Sequence, residues 1–422
     1  MSSNFFHKFG IVLADRALRT RILFVIAAIA VFRLLAAIPI PGVNRGALEQ
    51  FFSTNQFVGL LNVFSGGGFS TISLVLLGVG PYITASIIMQ LSTVLFPKIK
   101  EMYSEEGEAG RARFISISRM ITIPIALLQG IGFLSLLKNQ GILNALTPFH
   151  LGVDVVLVAA GTILLMWIGE LITEFGIGNG VSIIIFIGII SRVPQGISQV
   201  LFTATAANIP AYLGFVVLAI GVIYAVVVVA DAERSIPIAY ARQANAGSMG
   251  APTYLPIRLL QTGVIPIIFA LSLLLLPQLA FSGLAAAGVG HMAAADAWYK
   301  AFAANAWAYS AVYFALVVMF TYFYTAITFE PHRVADNLQK SGAYVPGVRP
   351  GRETESYIGT VVNRITLPGA LFLGAVAVVP FVIKAVTGIS AILVGGTALL
   401  IAVQVLLDLV RKVDAQVSLR EY

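Results

Sequence analysis

Ten apolar stretches follow one another along this chain, each close to the roughly twenty residues that a helix needs to cross a bilayer. They fall at about 22 to 40, 74 to 96, 117 to 137, 153 to 171, 178 to 198, 211 to 230, 259 to 279, 306 to 328, 365 to 384 and 388 to 409. Charged residues are 11% of the sequence, less than half the share of about a quarter usual in a soluble domain. Hydrocarbon, not water, is therefore the solvent that the pattern suits. The spacing predicts an all-α, polytopic membrane protein of ten transmembrane helices. The Met-Ser-Ser-Asn start lacks the pattern of a removed leader, so the first stretch reads as a retained span. Cysteine is absent, which excludes disulfides, thiolate metal sites and cysteine nucleophiles.

Ten crossings leave both ends on one side. Of the 26 Lys and Arg residues, twenty fall on that side, while Arg45, Lys138, Arg192, Lys300 and Lys384 fall on the other and Arg33 lies within a span. The positive-inside rule then puts the basic side, with both termini, in the cytoplasm. The surplus of positive charge reports topology, and no nucleic-acid readout is expected.

The region from Gln50 to Pro97 carries no charge and is more than twice the roughly twenty residues of one crossing. A second full crossing there would move every later basic cluster to the wrong side. Charge parity thus predicts one span plus a re-entrant piece around 62 to 73, where Gly66, Gly67 and Gly68 suit a short broken helix. An external amphipathic loop is the alternative.

Two five-span halves, 1–205 and 206–422, share a rhythm. The second span of each carries a break, Gly78-Val79-Gly80-Pro81 in one and Gly263-Val264-Ile265-Pro266 in the other. Matched interruptions point to a path at the repeat interface. The larger basic-side loops are 231–258 and 329–364.

Ion-coupled transporters need ionisable groups at mid-membrane. Only Arg33 is placed deep in a span, and pairing with backbone carbonyls is its simplest role; Asp154, Glu170, Glu174, Asp231 and Asp408 fall at span ends and read as solvated. His7, His150, His291 and His332 are scattered, and no metal, nucleotide or prenyl-pyrophosphate motif is present. No catalysis, cofactor or metal is expected. A secondary transporter with inverted repeats and an intramembrane enzyme are the rival readings, and each lacks its coupling charge or catalytic pair.

Ile83 and Ile87, and Ile185 and Ile189, are spaced i, i+4, so each pair faces one way from its helix. An aliphatic ring around a narrow passage gates by dewetting. Spacing alone fits ordinary helix packing at least as well.

The ordered set of motifs resembles the SecY/Sec61 alpha family, over nearly the whole chain. The set runs through Phe32-Arg33 with Ile38-Pro39-Ile40-Pro41-Gly42, Asn62-Val63-Phe64-Ser65-Gly66-Gly67, Gly80-Pro81-Tyr82-Ile83 and Gly176-Ile177-Gly178-Asn179-Gly180. It continues with Gly263-Val264-Ile265-Pro266, Ala335-Asp336-Asn337-Leu338, Gly347-Val348-Arg349-Pro350-Gly351 and Gly395-Gly396-Thr397. The resemblance implies a protein-conducting channel: two pseudo-symmetric five-helix halves around a central pore, closed by a plug helix at Asn62, Phe64, Ser65, Gly66, Gly67 and Gly68. It implies a pore ring of Ile83, Ile87, Ile185, Ile189, Ile268 and Ile401. It also implies a lateral gate at which spans two and three part from seven and eight, letting apolar segments pass into the lipid bilayer.

Implied partners are the SecE and SecG subunits, the SecA ATPase or the ribosome, and secretory preproteins with signal sequences, all at the bacterial cytoplasmic membrane. Arg242 and Arg349 match the family's docking arginines. Where the family has a basic loop tip, residues 243–252 are small and uncharged, as in a linker, and the chain stops early at Arg420-Glu421-Tyr422.

Overall fold

The computed structural model describes residues 15–42, 72–104, 106–139, 141–143, 147–191, 194, 209–240, 253–261, 263, 265–286, 290–387 and 390–421. The expected plug residues Asn62 to Gly68, and Arg242 with the linker-like stretch, lie outside them.

The helices of the first half are α1 (Arg16–Ala37), α2 (Gly80–Leu95), α3 (Pro97–Ser104), α4 (Gly107–Asn139), α5 (Pro148–Phe175) and α6 (Gly180–Ile190). The second half has α7 (Ile209–Asp231), the strands β1 (Glu233–Tyr240) and β2 (Thr253–Arg258), α8 (Ile265–Ala286), α9 (Gly290–Ala304) and α10 (Ala306–Thr328). There follow α11 (Pro331–Lys340), β3 (Ala343–Tyr344), α12 (Arg352–Thr387) and α13 (Ser390–Glu421).

Each predicted span falls on one of these helices. Among the described residues five helices are long and apolar enough to cross a membrane, and α2 with α3, bent by 113°, makes a sixth. Three further apolar helices, in α6, α7 and α8, are shorter as described.

Local chemistry sets several of the ends. Pro81 stands in the first turn of α2 and Pro148 in that of α5, where the missing N–H costs nothing. The side chain of Asn179 accepts from Ser182 N at 3.1 Å and caps α6, and Asn305 likewise caps α10. After the bend at Phe96, α3 places Lys98 and Lys100 beside Ile99 and Met102, a composition suited to lie along a membrane surface.

One apolar cluster runs through both halves, from Phe32 and Leu76 through Ile183 and Ile268 to Tyr313, Phe320 and Ile401. Its counterpart is an apolar exterior: Leu34, Leu128, Trp167 and Val217 stand exposed, as lipid-facing side chains do. The halves meet where α8 packs on α4 and α2, and where α13 packs on α6.

Three expectations need correction. The second span is helical only from Gly80, not from 74, because residues 72–79 fold into turns with Ile72 at φ 43° and Gly78 at φ 57°. This turn segment is pinned to the end of α1, with Ile40 N donating to Ile72 O at 2.8 Å and Leu74 N to Ile38 O at 3.0 Å. It also rests on α5, where a Cβ at Gly161 would come within 2.1 Å of the Leu74 carbonyl oxygen.

Second, Asp154 is buried at 4% exposure, since α5 begins at Pro148 and carries it inside the bundle. Glu170, also read as solvated, instead pairs with Arg119. Third, Arg33 is half-buried and makes no hydrogen bond or ion pair among the described residues, so carbonyl pairing is not observed.

The basic face carries structure beyond helices. A three-stranded antiparallel sheet in the order β2-β1-β3 pairs Ile236 with Leu255 and Tyr240 with Ala343. Beneath it Ile236, Ile257, Val345, Ile358 and Val362 form a separate small core. Alternating Ile236 and Ile238 belong to a half-buried strand, a period that the long apolar helices overshadow in the sequence.

Candidate functional site

All six isoleucines of the expected constriction are buried, each at 6% exposure or less, and all belong to the central cluster. They come from four helices: Ile83 and Ile87 from α2, Ile185 and Ile189 from α6, Ile268 from α8 and Ile401 from α13. Both halves therefore contribute to the cluster, with α8 packed on α2 and α13 on α6. Aliphatic side chains without polar atoms offer neither water nor an ion a replacement for hydration.

Ile83, Ile185 and Ile268 also line a cavity of about 410 Å³. The rest of its wall is polar on one side, where Tyr82, Ser86 and Gln90 stand at i, i+4, i+8 along α2. Facing them are Glu170, Thr173 and Glu174 from the last turns of α5, with Asn179 and Ser182 from the start of α6. Ile115, Ile265, Phe269 and Tyr324 complete an apolar side. The α5 and α6 walls approach so closely that a Cβ at Gly180 would come within 1.9 Å of the Gly169 carbonyl oxygen.

Within this vestibule Arg119 Nε donates to Glu170 Oε1 at 2.6 Å, joining α4 to α5. A neighbouring recess of about 580 Å³ shares Tyr82, Ser86 and Gln90 and opens between α2–α4 and α10–α11. It holds Arg111, stacked over the Tyr103 ring at 5.9 Å, and Arg333, which pairs with Glu330. The two hollows flank the seam at which α8 packs against α2 and α4, the expected lateral gate.

Arg349 stands apart from the vestibule, on the turn between β3 and α12, with 88% of its side chain exposed. Gly347 at φ 84° and Gly351 at φ 98° form that turn, and the Thr354 hydroxyl donates to the Arg349 carbonyl at 2.8 Å. Val348 packs on the small core below, so the guanidinium is displayed from an anchored base. Among the described residues no group of three or more His, Cys, Asp or Glu could hold a metal.

Sequence reasoning missed Arg119, the α2 polar stripe and the acidic face of α5. The i, i+4 spacing of Tyr82, Ser86 and Gln90 was a readable signal.

Comparison with known proteins fits this arrangement. The pattern that defines the SecY family matches residues 73–410. The Mycobacterium bovis protein translocase subunit SecY is 38% identical over 96% of both chains.

The chain belongs to the SecY family.

It is accordingly a subunit of a protein-conducting translocase channel and not an enzyme. Two solved structures share the SecY fold at 18% identity, each covering 95% of this chain and 93% of its own. One concerns the SecY plug domain, which stabilises the closed state of the translocation channel and maintains a membrane seal, and it superposes at a TM-score of 0.69. The other is Sec61 in a canine ribosome–channel complex from the endoplasmic reticulum, at a TM-score of 0.63.

Proposed function

We propose that the chain conducts unfolded polypeptides across the bacterial cytoplasmic membrane and releases apolar helices sideways into it, with both termini and the basic face in the cytoplasm. The halves 1–205 and 206–422 clasp the path, and Ile83, Ile87, Ile185, Ile189, Ile268 and Ile401 are its constriction. Asn62, Phe64, Ser65, Gly66, Gly67 and Gly68 form the plug. One observation carries this reading: a polar vestibule ends on isoleucines supplied by both halves. Such a floor withholds ions, which lose hydration there, yet offers a passing peptide nothing to bind.

The same assignment makes the seam between α2–α4 and α8–α10 the exit for a signal sequence or membrane helix. Apolar segments are more stable in hydrocarbon, while polar chain stays in the wet path. Energy comes from outside, from the SecA ATPase or a translating ribosome docked on Arg349 and Arg242, with SecE and SecG as companion subunits. Support for docking is the rigid display of Arg349.

The test is electrical. Replacing Ile87 and Ile189 together by Asn is expected to wet the constriction and raise the resting ion conductance of the complex in planar bilayers. A conductance equal to wild type would remove these residues from the barrier.

A further inference from the structure

We propose that α9 is an interfacial anchor: its Trp298 face, together with Trp307, seats in the lipid headgroup zone of the leaflet opposite the basic face and holds α8 in register with the bilayer.

Trp307 fixes the level. It stands 21 residues before Thr328 on α10, about 32 Å of helix, against a hydrocarbon core of about 30 Å. The Thr328 end runs into α11, with Arg333 and Lys340, on the basic face. Trp307 therefore marks the opposite boundary of the core. It also heads an exposed stripe with Ala311, Ala315 and Met319, at i, i+4, i+8 and i+12. That stripe is the lipid-facing side of a span, so the Trp307 ring, 65% exposed, continues a surface that meets lipid.

Helix α9 arrives at the same level. Its last residue, Ala304, is separated from α10 by Asn305 alone, whose side chain accepts from Ala308 N at 3.3 Å. Trp298 stands six residues before Ala304, about 9 Å of helix, within or beside the headgroup zone. The exposed side chains of α9 are Ala294, Ala297, Trp298, Lys300, Ala301 and Ala304. A helix face left to water is built of charged and polar residues, whereas this one carries a single cation. Lys300 pairs with Asp296, and its stem can lie along apolar surface with the ammonium kept among headgroups. Trp298 is 68% exposed and stacks on Phe302, with ring centroids 6.1 Å apart and planes within 9°. The pair makes a flat apolar plate edged by an indole N–H, the amphipathic ring that concentrates at membrane boundaries.

Behind the plate, contacts run inward. Phe302 meets Tyr309, and Tyr309 meets Phe381 of α12. The buried face of α9 carries Tyr299, whose hydroxyl donates to the Leu274 carbonyl oxygen in α8. Leu274 is three residues ahead of Pro277, so the anchor grips α8 beside the turn that its own backbone leaves weakest.

The chain has three tryptophans, Trp167, Trp298 and Trp307, so two substitutions isolate each emitter. The full chain with Trp167→Phe and Trp307→Phe is reconstituted in vesicles of phospholipid brominated either next to the headgroup or at the chain ends. Trp298 is expected to lose most of its emission in the first lipid, little in the second, and little to iodide in the water. The chain that keeps Trp307 alone should respond in the same way. Hydroxyl-radical labelling of the unsubstituted chain in vesicles checks the seat without any variant: Trp298 should be oxidised more slowly than Tyr254, which stands exposed on the sheet. Trp298→Ser is expected to speed amide exchange in α8 around Pro277 in vesicles, as Tyr299→Phe does, while Trp167→Ser on α5 is not. Quenching of Trp298 by iodide overturns the inference, and so does shielding from both iodide and bromine, which would mean that protein covers the plate. An α8 exchange rate that Trp298→Ser leaves unchanged overturns it as well.

Discussion

The Tyr299 hydroxyl donates to the carbonyl oxygen of Leu274, three residues ahead of Pro277 in α8. Pro277 has no N–H and its ring crowds the carbonyls of the preceding turn, so the helix is weakest there. Helix α9 thus supplies a donor to α8 at its weakest turn. Burial pushes the Tyr299 phenol up to about 12, which keeps it protonated through any working pH. Tyr299→Phe should lower stability by about 1 kcal/mol, the usual net loss for one buried hydrogen bond, read as an earlier thermal unfolding in detergent.

Gly161 admits the Leu74 carbonyl where no side chain fits. Gly161→Ala should cost about 3 kcal/mol, as overpacking of a tight contact does, because the obstacle is backbone. Gly152→Ala on the same helix, with nothing within 4 Å of its Cβ position, should be tolerated. Comparative thermal unfolding of the two variants settles the matter.

Gln404 is 6% exposed, and neither its amide nitrogen nor its oxygen has a partner among the described residues. It stands one turn from Ile401 on α13. Gln404→Leu removes two unsatisfied groups at similar volume and should stabilise the protein by about 1 kcal/mol. An unchanged or lower melting temperature would contradict the prediction.

His332 on α11 faces Glu355 of α12 at 3.1 Å and Asp336 at 3.5 Å. The hydrogen bond that its ring donates to Glu355 and the nearby carboxylates raise its pKa above the ordinary 6.5. A group raised in the folded state stabilises fully below its unfolded value and loses that contribution as pH rises through the folded one. Protection of the α11–α12 junction against hydrogen exchange should therefore fall from pH 6 upward, after correction for intrinsic rates, and His332→Gln should flatten the profile.

Arg349→Glu should suppress SecA-driven secretion in reconstituted vesicles by tenfold or more, about the loss of one charged docking contact. Its guanidinium is exposed and its turn is held by backbone contacts, so assembly should survive. Normal secretion would end its role as a docking residue.

The spans were legible because hydrocarbon imposes length and apolarity at once. The expected constriction was legible only in part: Ile83 and Ile87 share a face by spacing, but that Ile83, Ile185 and Ile268 line one cavity depends on how α2, α6 and α8 are placed. Asp154 was misjudged because its helix starts five residues before the apolar stretch, at Pro148. The Arg119–Glu170 pair joins positions 51 residues apart, and no local period announces such a meeting. The sheet escaped because β1 and β2 are short strands in a polar loop, where turn residues dominate the reading.

Through Ala239 with Tyr344 and Tyr240 with Ala343, the strand after α7 is stitched to the segment that leads into α12. β2 pairs with that same strand and runs on toward α8. The turn that bears Arg349 consequently rests on a plate tied to three helices, α7, α8 and α12, so a load applied to that turn is shared among them instead of dissipating in slack chain.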